Sequence, residues 1–197
     1  MTNDIIQVRV HGRGGQGVVT AAELIALAAF YDGQEAQAFP SFGVERTGAP
    51  IMAFARISKT KIKTREQVYQ PDFLIIEDAT LIDEAEITNG CQAQTKILIN
   101  SPKTKQAMFK ELKLAAQKNN KILNIKEENI FTAPATEIAL EFIGKNIVNT
   151  VILGALIKYE ALFSLESLKK AVTIKFKDKE KILEKNIAAI LKIYETN

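Results

Sequence analysis

The sequence predicts an α/β protein: a mixed, mostly parallel sheet with helices on both faces, an inserted β-hairpin and a helical C-terminal part. Three observations predict it. A β-branched strand pattern runs directly into a glycine loop, Gly12-Arg13-Gly14-Gly15-Gln16-Gly17, and then into a long alanine-rich helix pattern. The continuous apolar run Phe73-Leu74-Ile75-Ile76 is of the kind that parallel sheets bury on both faces. After Pro134 the apolar residues recur at helical spacing almost to the end of the chain. Strand, glycine turn and helix in series open a Rossmann-like unit.

Ile5 to His11 alternates Ile and Val with polar residues, the period-2 pattern of a strand. Val18 to Tyr31 is helical, with Leu24, Ile25, Leu27 and Ala28 on one side, and Asp32-Gly33 stops it. Glu35 to Phe39 fits a short second strand. From Phe39 to Pro50, two prolines and two glycines bar a regular helix or central strand. Ile51 to Ser58 and Lys61 to Thr64 read as an antiparallel hairpin around a polar turn. Phe73 to Glu77 and Lys96 to Asn100 read as buried strands, and Asn129 to Thr132 as a last one. Ser101 is placed to cap a helix, with Pro102 at its first position. Helices are expected over Thr136 to Ile143, Asn149 to Tyr159, Leu165 to Ile174 and Lys179 to Tyr194. There is no repeat, low-complexity tract or linker, so residues 1–197 are expected to form a single domain.

Composition narrows the function classes. A chain of 197 residues with 47% apolar and 25% charged residues has ordinary globular character. A net charge of +3 is too small and too spread out to point to nucleic acid. The lysines gather in the C-terminal half and alternate with apolar residues, the pattern of a solvated helix face. The single cysteine, Cys91, excludes a disulfide framework, a cysteine-ligated zinc and an iron–sulfur cluster within the chain. His11 is the one histidine and leaves little scope for a histidine metal centre. No apolar stretch approaches the roughly 20 residues that span a bilayer, so no membrane role is expected. Met1-Thr2-Asn3-Asp4 lacks the basic start of a signal peptide, and a cytoplasmic location is expected.

The glycine loop admits three readings. The spacing satisfies the dinucleotide fingerprint, but that needs an acid at the carboxyl end of the second strand for the ribose hydroxyls. Asp32 falls in the helix-ending turn, Glu35 opens the strand, and no acid stands near Phe39-Pro40. The glycines could instead serve only close packing of strand on helix. The third reading is a backbone anion site, for a phosphorylated ligand or a partner's carboxylate. There the N–H groups and the positive end of the helix dipole converge, and Arg13 adds charge.

The Phe39–Pro50 segment, with Phe42, Gly43, Glu45 and Arg46 at its middle, reads as an interface loop or as a self-packed loop with an internal ion pair. His11 could be a base, but no nucleophile or orienting acid stands at a telling spacing, which favours a structural role. Glu77-Asp78 follows a buried strand where α/β folds place metal-binding acids, with Asp83 and Glu84 beyond it; capping and solvated charge are the plainer reading. Cys91 has no cationic neighbour in sequence before Lys96, against a reactive thiol. Met52, Phe54 and Ile57 read as core.

These segments resemble a known family. Residues 11–24, from His11 through the glycine loop to Leu24, resemble the start of the gamma subunit of pyruvate:ferredoxin oxidoreductase. So do Ala38 to Arg46 followed by Gly48-Ala49-Pro50, Gln67 to Asp72, Ile97 to Ser101, Asn149-Thr150 with Leu153-Gly154-Ala155, Ser164 to Leu168, and Glu184-Lys185-Asn186. The chain departs at Thr47, where the family often carries a second arginine. Phe42 to Arg46 is closer to the pyruvate branch than to the 2-oxoglutarate branch.

The resemblance implies a non-redox subunit. The complex would convert pyruvate, coenzyme A and oxidised ferredoxin to acetyl-coenzyme A, carbon dioxide and reduced ferredoxin. Thiamine diphosphate, magnesium and the iron–sulfur clusters would belong to partner alpha, beta and delta subunits. This chain would hold none of them, would carry no catalytic residue and would be inactive alone. It would help assemble the active site and bind coenzyme A, with Arg13, Gly14, Gly15, Gln16 and Gly17 near the coenzyme A path or a subunit contact. Phe42, Gly43, Glu45 and Arg46 would form or order the neighbouring interface loop. Another 2-oxoacid, 2-oxoglutarate or 2-oxoisovalerate, and a stand-alone dinucleotide binder are the alternatives.

Overall fold

The structure, a computed structural model, describes residues 5–41, 48–84 and 87–196. Six strands form one mixed sheet: β1 (Ile5–Arg13), β2 (Glu35–Pro40), β3 (Pro50–Ser58), β4 (Phe73–Ile76), β5 (Lys96–Asn100) and β6 (Ile130–Ala133). Their order is β2-β3-β1-β4-β5-β6. β1, β4, β5 and β6 run parallel, whereas β3 lies antiparallel between β1 and β2. The helices are α1 (Val18–Tyr31), α2 (Lys105–Lys118), a short α3 (Ala135–Ile138) that widens into a π turn (Ala139–Ile143), α4 (Val151–Tyr159), α5 (Leu165–Lys175) and α6 (Glu180–Glu195).

Two cores lie on the two faces of the sheet. Val8, Val10, Ala53, Ala55, Ile57, Ile75 and Leu98 pack against α1 and α3 to α6. Leu74, Ile76, Ile97, Ile99 and Ile130 pack against α2 and the 3-10 turn Ala79–Asp83. α4 is apolar all round and buried from Val151 to Ile157, as a helix between sheet and outer helices must be. Gly154 permits α6 to cross it, since a Cβ there would stand 2.6 Å from Ile193 Cγ2 and 2.8 Å from the Ile190 carbonyl oxygen.

Among the described residues no helix covers the second face over β1, β3 and β2. Two buried arginines hold irregular chain there instead. Arg9 donates to the carbonyls of Val68, Ile87 and Asn89, and Arg56 to those of Glu66 and Gln67. This accounts for one departure from expectation. Lys61 to Thr64 is not a strand, because it carries a single apolar residue and is fixed from the side, with Gln37 donating to the Thr64 carbonyl. The hairpin partner of β3 is β2, register-paired from Glu35↔Ser58 to Pro40↔Ala53. The cap of α2 also moves. Ser101 donates its N–H to the Ala133 carbonyl beside the sheet, and Thr104 accepts from Ala107 N at the helix start.

Candidate anion-binding site

The chain leaves β1 through α1 toward β2, on one side, while β4, β5 and β6 build outward on the other. The crevice at the carboxyl ends of β1 and β4 is therefore the topological switch point, where open α/β sheets bind ligands. The glycine loop fills its rim. Gly12 must lack a side chain, since a Cβ would stand 2.6 Å from Val18 Cγ2 and 3.1 Å from a Glu77 carboxylate oxygen. Gly15 and Gly17 have φ of +98° and +90°, the left-handed region that glycine enters without strain. At Gly17 a Cβ would fall 2.2 Å from Asn149 Nδ2. Gly17 is the N-cap of α1 and among the described residues no side chain caps the helix, so its first-turn N–H groups face outward with the dipole behind them.

Those groups open on a cavity of about 550 Å³, within the size range of small-molecule sites. Its rim is made of donors. Gly15, Gly17 and Thr20 contribute from α1 and its loop, Asn149 from the start of α4, and Lys145, Lys181 and Lys185 from the π-turn exit and α6. Among the described residues none of these three lysines pairs with a carboxylate, whereas Lys175, also on the rim, pairs with Glu23. Asn149 is buried; its Oδ1 accepts from Thr150 N at 2.8 Å, and its Nδ2 has no partner among the described residues. Thr150 in turn donates to Asn186 Oδ1 at 2.6 Å, which fixes α6 against α4 beneath the lysines. Ile143, Ile147, Phe176 and Ile182 make the apolar wall. Such a lining suits a ligand with anionic and apolar parts.

The opposite flank of the loop is closed. Arg13 lies 3.4 Å from Asp78, donates to Thr80 Oγ1 at 2.8 Å and to the Gly48 carbonyl at 3.2 Å. Gln16 Oε1 accepts from Arg13 N at 2.7 Å, and Gln16 Nε2 donates to Asp78 at 3.0 Å. Gly14 exchanges backbone hydrogen bonds with Gly48 and Ala49. Of the five loop residues singled out in the sequence, Gly15 and Gly17 thus line the cavity; Arg13, Gly14 and Gln16 face away. Phe42, Gly43, Glu45 and Arg46 lie outside the described residues.

Other polar residues resolve as follows. Asp78 caps the 3-10 turn by accepting from Thr80 N. Burial alone would raise its carboxyl, but hydrogen bonds from Thr80 and Gln16 and the charge of Arg13 outweigh burial and hold it below the ordinary value. Glu77 is fully buried, neither carboxylate oxygen has a partner among the described residues, and burial pushes its carboxyl well above the ordinary value. Asn100 donates to the Glu77 backbone carbonyl and to Thr136, joining β4, β5 and α3. His11 points to the other face, beside Met52 and Leu81; burial first and Arg9 second depress it to about 3. Cys91 does have a cationic neighbour, Arg9 from β1, but burial prevails and pushes the thiol to about 11.

The dinucleotide reading loses its acid. Asp32 accepts from Ser164 and Ser167 at the start of α5, and β3 separates β2 from β1, which places any acid on β2 two strands away. The lysines were the missed signal. Lys181 and Lys185 are one helical turn apart on α6, yet nothing in the sequence says that α6 folds back over the glycine loop.

Fold and loop together define a Rossmann-like α/β protein with a glycine loop at its switch point. Residues 7–196 match the family model described as pyruvate ferredoxin/flavodoxin oxidoreductase, and the chain belongs to that family. It is 44% identical to the pyruvate synthase subunit PorC of Methanocaldococcus jannaschii, over 94% of this chain and 93% of that one. It is 40% identical to the pyruvate/ketoisovalerate oxidoreductases common subunit gamma of Pyrococcus furiosus, over 97% and 96%. The crystal structure of the pyruvate oxidoreductase subunit PORC of Thermotoga maritima superposes with a TM-score of 0.80 at 33% identity, covering 98% of this chain and 97% of that one.

Proposed function

We propose that this chain is the gamma subunit of a cytoplasmic pyruvate:ferredoxin oxidoreductase and that it binds part of coenzyme A at the α1 N-terminus. The observation that carries the coenzyme A reading is the rim made of donors: Lys145, Lys181 and Lys185, Asn149 Nδ2 and the first turn of α1, none of them partnered among the described residues, around one cavity. Phosphates fit the donors, and Phe176 with the isoleucines fits the apolar parts of the cofactor.

The complex joins pyruvate and coenzyme A to form acetyl-coenzyme A and carbon dioxide, and the electrons pass to ferredoxin. Thiamine diphosphate supplies the decarboxylation chemistry and iron–sulfur clusters the electron path. One buried cysteine cannot ligate a cluster, so the clusters belong to partner subunits, and the resemblance assigns thiamine diphosphate and magnesium to the partner alpha, beta and delta subunits as well. This chain's own work is to bind and orient. The Pyrococcus furiosus relative is named as common to pyruvate and ketoisovalerate oxidoreductases, which supports placing the choice of 2-oxoacid outside this chain. A 2-oxoisovalerate enzyme sharing the subunit is the second reading.

The test is gentle, oxygen-free purification of the tagged chain from its own cells. The eluate is assayed for 2-oxoacid-driven reduction of a low-potential dye with and without coenzyme A. Copurifying thiamine and iron–sulfur subunits and coenzyme A-dependent turnover of pyruvate are expected. A lone inactive chain overturns the reading, and turnover of 2-oxoisovalerate beside pyruvate supports the shared-subunit form.

A further inference from the structure

We infer that Asp78 is a positioning residue: through Gln16 and Arg13 it latches the glycine loop into its anion-receiving shape. The inference rests on the coenzyme A reading. Its ground is the closed flank described above, in which the side chains of Arg13 and Gln16 both find Asp78 or Thr80 after β4. Asp78 Oδ2 receives Gln16 Nε2 at 3.0 Å, and Gln16 Oε1 receives the Arg13 N–H at 2.7 Å, so one amide side chain spans the loop from its first turn to the sheet. Asp78 Oδ1 receives Thr80 N at 3.0 Å and Thr80 Oγ1 at 2.6 Å, which fixes the carboxylate itself. The Arg13 guanidinium closes over the same carboxylate at 3.4 Å and reaches Thr80 and Gly48. Gly14 is stitched to Gly48 and Ala49 by two backbone bonds, so the latch also ties the loop to the start of β3.

Asp78 holds a negative charge one loop away from an anion site, which would oppose binding if it stood alone. Arg13, which also comes within 4.0 Å of Glu84, offsets the Asp78 charge locally, and the group faces away from the cavity. Arg13 then contributes to anion binding by holding the loop, with no contact to the ligand. A loop freed of the latch still owns its N–H groups, but samples the receiving shape only part of the time. A shape populated a tenth of the time weakens apparent affinity about tenfold.

The experiment uses the assembled complex carrying Asp78→Ala, Asp78→Asn, Arg13→Ala, the Arg13→Ala/Asp78→Ala double variant, or Lys185→Glu as a control within the cavity. The readouts are equilibrium binding of coenzyme A and KM against kcat for coenzyme A and for the oxoacid. The latch predicts that Asp78→Ala raises KM for coenzyme A about tenfold with kcat at saturation and the oxoacid KM unchanged. Asp78→Asn, which keeps the shape and loses the charge, falls between. The double variant is no worse than Asp78→Ala, because the two act as one unit. Direct contact between Arg13 and the ligand predicts the opposite sign: Asp78→Ala frees Arg13 and tightens binding. If Lys185→Glu weakens binding while Asp78→Ala and Asp78→Asn leave it unchanged or tighten it, the latch is wrong and the coenzyme A reading stands. If no variant moves coenzyme A binding, both fail.

Discussion

The two flanks of the glycine loop are built from similar residues and do opposite things. Toward β4, an arginine, a glutamine, an aspartate and a threonine satisfy one another at short distance, leaving no charge for a ligand. Toward α6, three lysines, a buried carboxamide and a helix end present donors with no acceptor among the described residues. The nearby arginine, conspicuous in the motif, is structural; the distant lysines are the ones open to an anion. A charge's neighbours decide its role, and its distance in sequence from the motif does not.

Gly17→Val is expected to break the open flank most severely. The side chain would have to adopt φ near +90° and occupy the place of Asn149 Nδ2, at 2.2 Å. Backbone strain of about 1–3 kcal/mol, with the carboxamide displaced, should lower kcat/KM for coenzyme A by roughly 10- to 100-fold. The oxoacid half-reaction, followed as dye reduction in a single turnover without coenzyme A, should be retained. Retained coenzyme A affinity in an assembled Gly17→Val complex would remove the open flank from the ligand site.

Charge reversal tests the same flank more gently. Lys181→Glu and Lys185→Glu should each raise KM for coenzyme A about fivefold at low salt, and the effect should shrink as salt screens it. Reversal at Lys118, whose partner Asp83 is equally exposed and remote from the cavity, should leave KM unchanged. Equal effects at all three positions would mean that overall charge, and no particular cavity, governs the approach of coenzyme A.

The contrast between the flanks was only half legible in the sequence. β1, the glycine loop and α1 are local, and their glycines, β-branched residues and alanines announce them. The strands at Phe73 and Lys96 are announced by unbroken apolar runs that only a sheet covered on both faces can bury. Long-range facts were hidden. Lys61 to Thr64 reads as the second arm of a hairpin because a polar turn precedes it; that it is held from the side depends on Gln37, 27 residues from Thr64. Arg13 looked like an anion contact because Asp78, 65 residues on, is brought to it only by the parallel pairing of β1 with β4. The lysines of α6 looked solvated because amphipathic spacing says which face is apolar and nothing about what the polar face overlooks.

Glu77 sits beneath the loop and belongs to neither flank: it is buried like the closed side and unpartnered like the open one. Burial raises its carboxyl well above the ordinary glutamate value of 4.5. Unfolding lets it ionise, so the stability it allows is fully present below about pH 4.5 and is lost as pH rises toward its folded value. Glu77→Gln cannot ionise and escapes this loss. The difference between variant and wild type should be smallest near pH 4.5 and shift in the variant's favour as pH rises toward the folded value of Glu77, and a gain of 1 kcal/mol would appear as about 2–4 °C in Tm. His11 supplies the mirror image: depressed to about 3, it leaves stability intact above pH 6.5 and withdraws it as pH falls toward 3. Both proteins carry His11, so its loss cancels in the comparison, and the Glu77→Gln gain must begin only above about pH 4.5. A constant difference at every pH would mean that the Glu77 carboxyl ionises at the same pH in the folded and the unfolded protein, and that burial does not raise it.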